Sequence, residues 1–536
     1  MRVFKKGISK MQLVLWIVLF IQLGIVVFMG FEKQGFHYDE YYSYYAANGT
    51  AGTRFMSDRS YNDVKYLTED FSVQPGEKFQ FKEIMAGQQY DTHPPLHYLL
   101  LNTVSSFFEN TFSKWEGLSI NIAAYLITFF ALYGILKILT KGNKWAAVIG
   151  CGLIGINPGV LSTVMYVRMY MLCTMFVMLL LYMHLHAMQK GKLTLIMALC
   201  IGLVMFGGAL TQYSFFAFAL LSAFGFCVYM LFFKKRVWDI ILYIIVNIAA
   251  AVSYLKIWPY IQTQLFNNNS TGNAALHNLF DLQELKIKSI YFLKLLNWNV
   301  FDDLGIFILG LIGVLSIILV FLCIRYKKKE VKELGVIFSY FFLYTIGISL
   351  IYFIALIKTG IMMDISVFRY ITPAYYLILI CLFIIIYALA DSIKSMKKQI
   401  ILIPLLCLIF LLINIKGICD KRVYFLYPET KDRLEVLDKY KNDELLFLCS
   451  TTFSWALWDD TREIMQFKSL YYMFSDNLAP IDNTNMDTCP EMIVYMDKAI
   501  TNPLEECANM IKESNPSLDE YELLYETIYY RVYRFY

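Results

Sequence analysis

Charge is scarce in this chain. Asp, Glu, Lys and Arg make up 17% of its 536 residues, against roughly a quarter in ordinary soluble domains. A net charge of +4 with no basic stripe outside short loops excludes a phosphate-neutralising surface, and nucleic acid with it as a partner. No CxxC or HExxH spacing suggests a zinc site, and no Gly/Ser linker, low-complexity tract or short repeat breaks the chain. The 11 cysteines are no disulfide scaffold, because seven lie in or beside apolar runs, where a small hydrophobe explains them. Cys419, Cys449, Cys489 and Cys507 lie in polar sequence and could pair, with no connectivity readable.

Apolar side chain is what the chain has in abundance. Hydrophobic residues make up 58% and aromatics 17%, and the mean hydropathy is +0.51. No soluble core buries that much. Runs long enough to cross a bilayer stand at 11–30, 118–139, 145–161, 168–188, 193–210, 214–233, 237–257, 304–324, 336–357, 372–391 and 400–416. The first lacks a small-residue cleavage site and reads as retained. The run at 94–108 is shorter, and charge parity decides its fate. Lys and Arg cluster at Arg2/Lys5/Lys6/Lys10, Lys141/Lys144, Lys190/Lys192, Lys234/Lys235/Arg236, Arg325/Lys327/Lys328/Lys329 and Lys394/Lys397/Lys398. If 94–108 does not cross, every cluster is cytoplasmic. The expectation is therefore an all-α polytopic protein of the plasma membrane with about eleven spans and added juxtamembrane helices. Its N-terminus is inside and its C-terminus outside. A membrane body over 1–416 precedes a small extracytoplasmic α/β domain over 417–536, with strands at Leu445–Cys449, Met492–Tyr495 and Tyr521–Tyr533 and a helix at Glu505–Glu513.

The first outer loop, 31–117, holds the most informative stretch, GFHYDEYYSYYAANG over Gly35–Gly49. Asp39 and Glu40 follow the exit of the first span. Helical spacing places Tyr38, Tyr41, Tyr42 and Tyr45 as an interfacial aromatic belt. A carboxylate held at the membrane surface suits a general base acting on a hydroxyl; the plainer reading is a helix cap or a solvated loop. Asp91-Thr92-His93-Pro94-Pro95-Leu96 comes next, its prolines marking a sharp helix start. His93 suits a phosphate donor or a cap, and Asp91 a helix N-terminal companion. Arg168, in Tyr166-Val-Arg-Met-Tyr170, and Arg369, in Phe368-Arg-Tyr370, sit at the outer ends of spans, against the positive-inside bias. A phosphate is the natural partner for a guanidinium fork there, snorkelling or a loop carboxylate the alternative. Gln212-Tyr213 lies at another outer turn, and Asp302-Asp303 reads as a possible cap. The sequons Asn48-Gly-Thr50 and Asn269-Ser-Thr271 carry little weight.

Taken in order, the DE pair with Tyr neighbours, D-x-HPPL, R-x-Y and RY-x-x-P before a late span resemble the GT-C membrane glycosyltransferases. The bacterial, PMT-like branch of the protein O-mannosyltransferase family is the match, over roughly residues 1–390. The resemblance implies a GT-C fold. It also implies inverting transfer of a hexose or pentose from a polyprenyl-phosphate donor to an acceptor hydroxyl of a cell-envelope glycan, lipid or protein, at the outer face of the bilayer. Asp39 is then the catalytic base and Glu40 its neighbour. Asp91 and His93 line the acceptor or phosphate side, and Arg168, Tyr170, Arg369 and Tyr370 hold the donor phosphate. Gln212 and Tyr213 stand where relatives often carry His-Tyr. A lipid-linked donor agrees with the lack of a Gly-rich nucleotide-sugar loop. No cofactor is certain, although Asp39, Glu40 and Asp91 are hard oxygen ligands compatible with a shared Mg or Mn. The long insert Ser57–Gln89 is expected to shape acceptor choice. A secondary transporter or a non-enzymatic polysaccharide-export component are the rivals. Transporters place their ionisable sites near the bilayer midplane, whereas the conspicuous charged groups here gather at one face.

Overall fold

The computed structural model describes residues 9–49, 57–266, 271–280, 284–310, 312–314, 317, 340–392, 399–450, 458, 460–474, 478–500 and 504–536. The chain divides into two compact units. One comprises Met1–Gly30, Met85–His97 and Gly117–Tyr424, the other Phe31–Ile84, Tyr98–Glu116 and Phe425–Tyr536.

The first unit is helical because its apolar runs must satisfy every backbone group internally. Among the described residues seven helices are long and apolar enough to cross a bilayer: α1 (Lys10–Glu32), Lys114–Leu139, Tyr170–Lys190, Ser214–Phe233, Val237–Ile257, Tyr340–Thr359 and Ile365–Ala388. Two bent pairs raise the number to nine, and shorter apolar helices at Leu195–Ala209 and Leu405–Cys419 cover the remaining expected runs. The basic clusters at 2–6, 325–329 and 394–398, much of 304–324 and parts of both sequons fall outside the described residues. Helix Leu96–Ser105 is only 10 residues long, too short to span.

One bend has a clear cause. Lys144–Gly155 and Pro158–Met165 meet at 61°, where Pro158 begins a new helix capped by Asn157. The Asn157 amide donates to the Val300 carbonyl (2.9 Å) and to Asn414 Oδ1 (3.0 Å), and Asn414 donates to the Leu153 carbonyl (2.7 Å). The break is thus sealed by buried amides. Deeper in this unit His184 is buried between the Tyr344 and Tyr243 hydroxyls at 3.2 and 3.1 Å, a histidine satisfied within the core.

The second unit is built on a six-stranded sheet of order β1-β3-β2-β4-β6-β5. Its strands are β1 (Ser60–Asp63), β2 (Glu444–Cys449), β3 (Ser469–Phe474), β4 (Met492–Asp497), β5 (Tyr521–Glu526) and β6 (Tyr530–Phe535). The central three, β3, β2 and β4, run parallel. All side chains of β4 are buried, and so are all those of β2 beyond Glu444, as expected when both faces of a sheet are covered. On one face Phe447 stacks on Tyr495 (5.2 Å) and meets Tyr530 edge-on (4.7 Å). Helix Leu504–Ser514 buries Cys507, Met510 and Ile511 against the other. The first loop's insert supplies β1, which pairs antiparallel with β3 from Ser60↔Tyr472 to Asp63↔Ser469. It is an edge of this sheet. The described cysteines are all free thiols.

Candidate active site

Candidate residues occur in both units. In the second, α2 (Tyr38–Asn48) carries Asp39 and Glu40 in its first turn, where a helix N-terminus favours carboxylates. His37 caps the helix: its Nδ1 accepts from the Asp39 backbone N–H (3.0 Å), while Glu40 Oε2 accepts from the His37 N–H (2.6 Å). The Lys33 ammonium donates to the same Glu40 oxygen at 3.0 Å and to the Phe425 carbonyl at 2.7 Å. Lys33 and Glu40 are both fully buried. Burial pushes the Lys33 amine below its ordinary value, and Glu40 acts against that shift. The Phe36 and Tyr427 rings lie 5.4 Å from the ammonium. Gly35 permits this crossing of chains, because a Cβ there would stand 2.7 Å from Thr430 Oγ1 and 2.8 Å from Tyr427 Cβ.

Glu40 is therefore an anchor of the helix start. Asp39 keeps 24% of its side chain exposed, its carboxylate 3.7 Å from the His37 ring. The expected aromatic belt is corrected by the packing. Tyr41 is completely buried against Phe36, Phe71 and Phe112 at 5.1–5.7 Å, because those phenyl rings enclose this face of α2. Tyr38 and Tyr45 pack on Trp458 at 5.7 and 5.4 Å. Residues of the C-terminal segment thus position the acidic helix.

In the first unit the segment 91–97 organises the rest. Gln264 Nε2 donates to the carbonyls of Gln88 (2.8 Å) and Asp91 (2.6 Å). Its Oε1 accepts from the Tyr213 hydroxyl, which also accepts from Trp258 Nε1 at 3.0 Å. The Leu96 N–H donates to the Leu210 carbonyl at 3.0 Å. Asp91 and the Gln212-Tyr213 turn are thereby joined. Burial, with Asp91 adding to it, pushes the Tyr213 phenol up to about 12. Within HPPL-H, His97 is fully buried, and its ring is pushed down to about 3 by burial first and then by the charges of Arg168 and His93. Those three side chains share one neighbourhood.

Arg168 is 4% exposed in a turn fixed from beneath. The Asn121 amide donates to the carbonyls of Val164 (2.9 Å) and Tyr166 (2.7 Å), and the Tyr166 and Tyr170 rings stack at 5.7 Å. A guanidinium so placed is preorganised, with little side-chain entropy left to lose on binding. Arg369 and Tyr370 lie in the 3-10 helix Ile365–Ala374, which packs against helix Tyr170–Lys190 immediately after Arg168. Arg369 donates to Ser366 Oγ at 2.7 Å and lies 5.0 Å from the Tyr370 ring.

The first unit therefore gathers Asp91, His93, Arg168, Gln212 and Tyr213 about one segment, with Arg369 and Tyr370 on an adjoining helix, while Asp39 and Glu40 stand in the second. Lys33, His97, Asn121, Gln264 and Trp458 escaped the motif reading. His97 could have been found, since it lies one residue past HPPL. Glu40 Oε2 is occupied by Lys33 and by the His37 N–H. Among the described residues no three His, Cys, Asp or Glu side chains form a metal-holding group.

Residues 92–258 match the family described as dolichyl-phosphate-mannose-protein mannosyltransferase. The chain is PMT-like over this stretch. It takes in His93, His97, Arg168 and Gln212-Tyr213 and runs to Trp258. No curated protein matches the chain. Among solved structures, ArnT from Cupriavidus metallidurans bound to undecaprenyl phosphate is 11% identical, over 97% of this chain and 98% of that one, with a TM-score of 0.45. The apo ArnT gives 0.43. The Archaeoglobus fulgidus oligosaccharyltransferase in complex with Zn and sulfate is 12% identical, over 89% of this chain and 68% of its own, with a TM-score of 0.42.

Proposed function

We propose that this membrane protein transfers a sugar from a polyprenyl-phosphate donor to an acceptor hydroxyl at the outer face of the bilayer, with inversion and with Asp39 as general base. The observation that carries the reading is Arg168. It is buried in a turn held by Asn121 and neighboured by His93 and His97, inside the segment that matches a lipid-phosphate-sugar transferase family.

The chemistry follows from where charge develops. As the acceptor oxygen attacks the anomeric carbon, the bond from that carbon to the phosphate oxygen breaks, and the lipid phosphate leaves with its electron pair. A guanidinium already fixed in place stabilises that charge without reorganising. His97, kept neutral by burial, can only donate or accept a hydrogen bond there and adds no charge. Asp39 takes the hydroxyl proton as the new bond forms, a contribution of about 10²–10⁴-fold for a positioned base. Glu40 and Lys33 hold the helix turn on which Asp39 is displayed.

The test is consumption of radiolabelled sugar from a panel of short-chain polyprenyl-phosphate donors by purified, detergent-solubilised protein. Wild type is expected to transfer or slowly hydrolyse at least one donor, and Arg168→Gln to lose most of that rate. Folded protein that consumes no donor contradicts the proposal.

A further inference from the structure

Helix Tyr340–Thr359 is strongly apolar until its last turn, where Lys358 is only 8% exposed. Helix Leu285–Phe301 packs against it and brings Lys288, 6% exposed, from its own first turn. Gly360 makes the approach close, since a Cβ there would lie 2.5 Å from the Phe292 ring. Both lysines line one small cavity together with Asn278, Glu284 and Leu285.

The two cations are not equally accounted for. Lys288 Nζ donates to the Lys358 carbonyl at 3.3 Å, as a cation at a helix C-terminus should, and lies 3.4 Å from the Glu284 carboxylate. Lys358 Nζ makes no hydrogen bond or ion pair with the described residues. An ammonium removed from water without an opposite charge is costly, and the neighbouring Lys288 adds repulsion. Glu284, 61% exposed, is paired with Lys288. Among the described residues the cavity sets two ammonium groups against one carboxylate, with the Asn278 amide at its wall.

We propose that this cavity binds a phosphate group between Lys288 and Lys358. Ammonium groups act as compact point charges and suit a small tetrahedral anion; a sugar would not enter so small a space. The site lies at the ends of two apolar helices, the level at which a lipid headgroup presents its phosphate. Nothing in the argument depends on the transferase reading, because none of these residues belongs to the Arg168 cluster. The phosphate can come from a lipid headgroup or from free inorganic phosphate, and the experiment separates them.

Full-length protein is melted in phosphate-free neutral detergent with added inorganic phosphate, or in zwitterionic nanodiscs with and without phosphatidic acid. Binding to the native state raises the melting temperature. A rise of several degrees is expected with at least one probe. It should vanish in Lys358→Met and in the milder Lys288→Gln, and persist in the exposed neighbour Lys286→Met and in Arg168→Gln. A rise confined to phosphatidic acid identifies the headgroup; a rise with inorganic phosphate as well identifies phosphate itself. No rise with either probe overturns the proposal. So does a rise that survives Lys358→Met, and so does one lost in Arg168→Gln but kept in Lys358→Met.

Discussion

Asp302 and Asp303 form an acidic pair as compact as Asp39 and Glu40, and cations take up both of its carboxylates. Asp302 accepts from Arg422 Nε at 2.7 Å and from Lys416, while Asp303 accepts from Arg422 Nη2 at 2.9 Å. Both residues hold left-handed backbone conformations, φ 48° and 63°, which non-glycine residues adopt only where surroundings enforce them. That pair is a fastener at a helix end. At the other pair the work is divided. Glu40 takes the buried cation and the helix cap, and Asp39, one residue earlier, keeps a partly exposed carboxylate beside His37. Two adjacent acids are therefore not equivalent, and burial with a committed cation sorts them. On the proposed reading, the acid that anchors is not the acid that serves as base.

Breaking the anchor should have the largest effect. Lys33→Met leaves Glu40 buried without its cation, which costs about 3–5 kcal/mol. The unfolding midpoint in mixed detergent should drop accordingly, and Lys33→Met with Glu40→Leu should recover much of the loss. The same operation at the fastener should cost less, because Arg422 is partly exposed and Lys416 still bonds Asp302. Arg422→Gln is expected to lose about 1–3 kcal/mol while leaving the turnover number unchanged. A fall in turnover there would erase the distinction between the two pairs.

A third measurement sharpens the contrast through pH. His97 is held down to about 3 from an ordinary 6.5. Below pH 6.5 the unfolded chain takes up a proton that the native chain refuses until about pH 3. Its contribution to stability is therefore complete above 6.5 and drains away as the pH falls through that window. The slope of stability against pH should flatten in His97→Gln relative to wild type. The smallest effect is expected at Tyr213→Phe, which removes hydrogen bonds to Gln264 and Trp258 for about 1 kcal/mol, seen as a slight fall in melting temperature.

Much of the membrane body was legible because hydropathy is summed over twenty residues and tolerates local error. The short 94–108 segment could be read from its length. The second unit was harder. β2, β4 and the β5–β6 region stand out as apolar or aromatic runs, but Ser60–Asp63 reads SYND and becomes a strand only because β3 offers it an edge. Lys33 looks like an ordinary interfacial lysine after a span, and nothing in its neighbours foretells a partner at Glu40. Tyr41 fits an interfacial belt by spacing, yet Phe71 and Phe112, distant in sequence, enclose it. In each case the missing information is a long-range contact, to which local periodicity is blind.

The division of labour between Asp39 and Glu40 is tested most directly by single-turnover sugar transfer from a saturating polyprenyl-phosphate donor, comparing wild type with Asp39→Asn and Glu40→Gln. The account predicts that Asp39→Asn loses about 10²–10⁴ of the rate with donor affinity and melting temperature nearly intact. Glu40→Gln should lose stability first and rate only as far as the helix start is disturbed. Transfer at the wild-type rate in Asp39→Asn, or a rate collapse in Glu40→Gln at unchanged melting temperature, would contradict it.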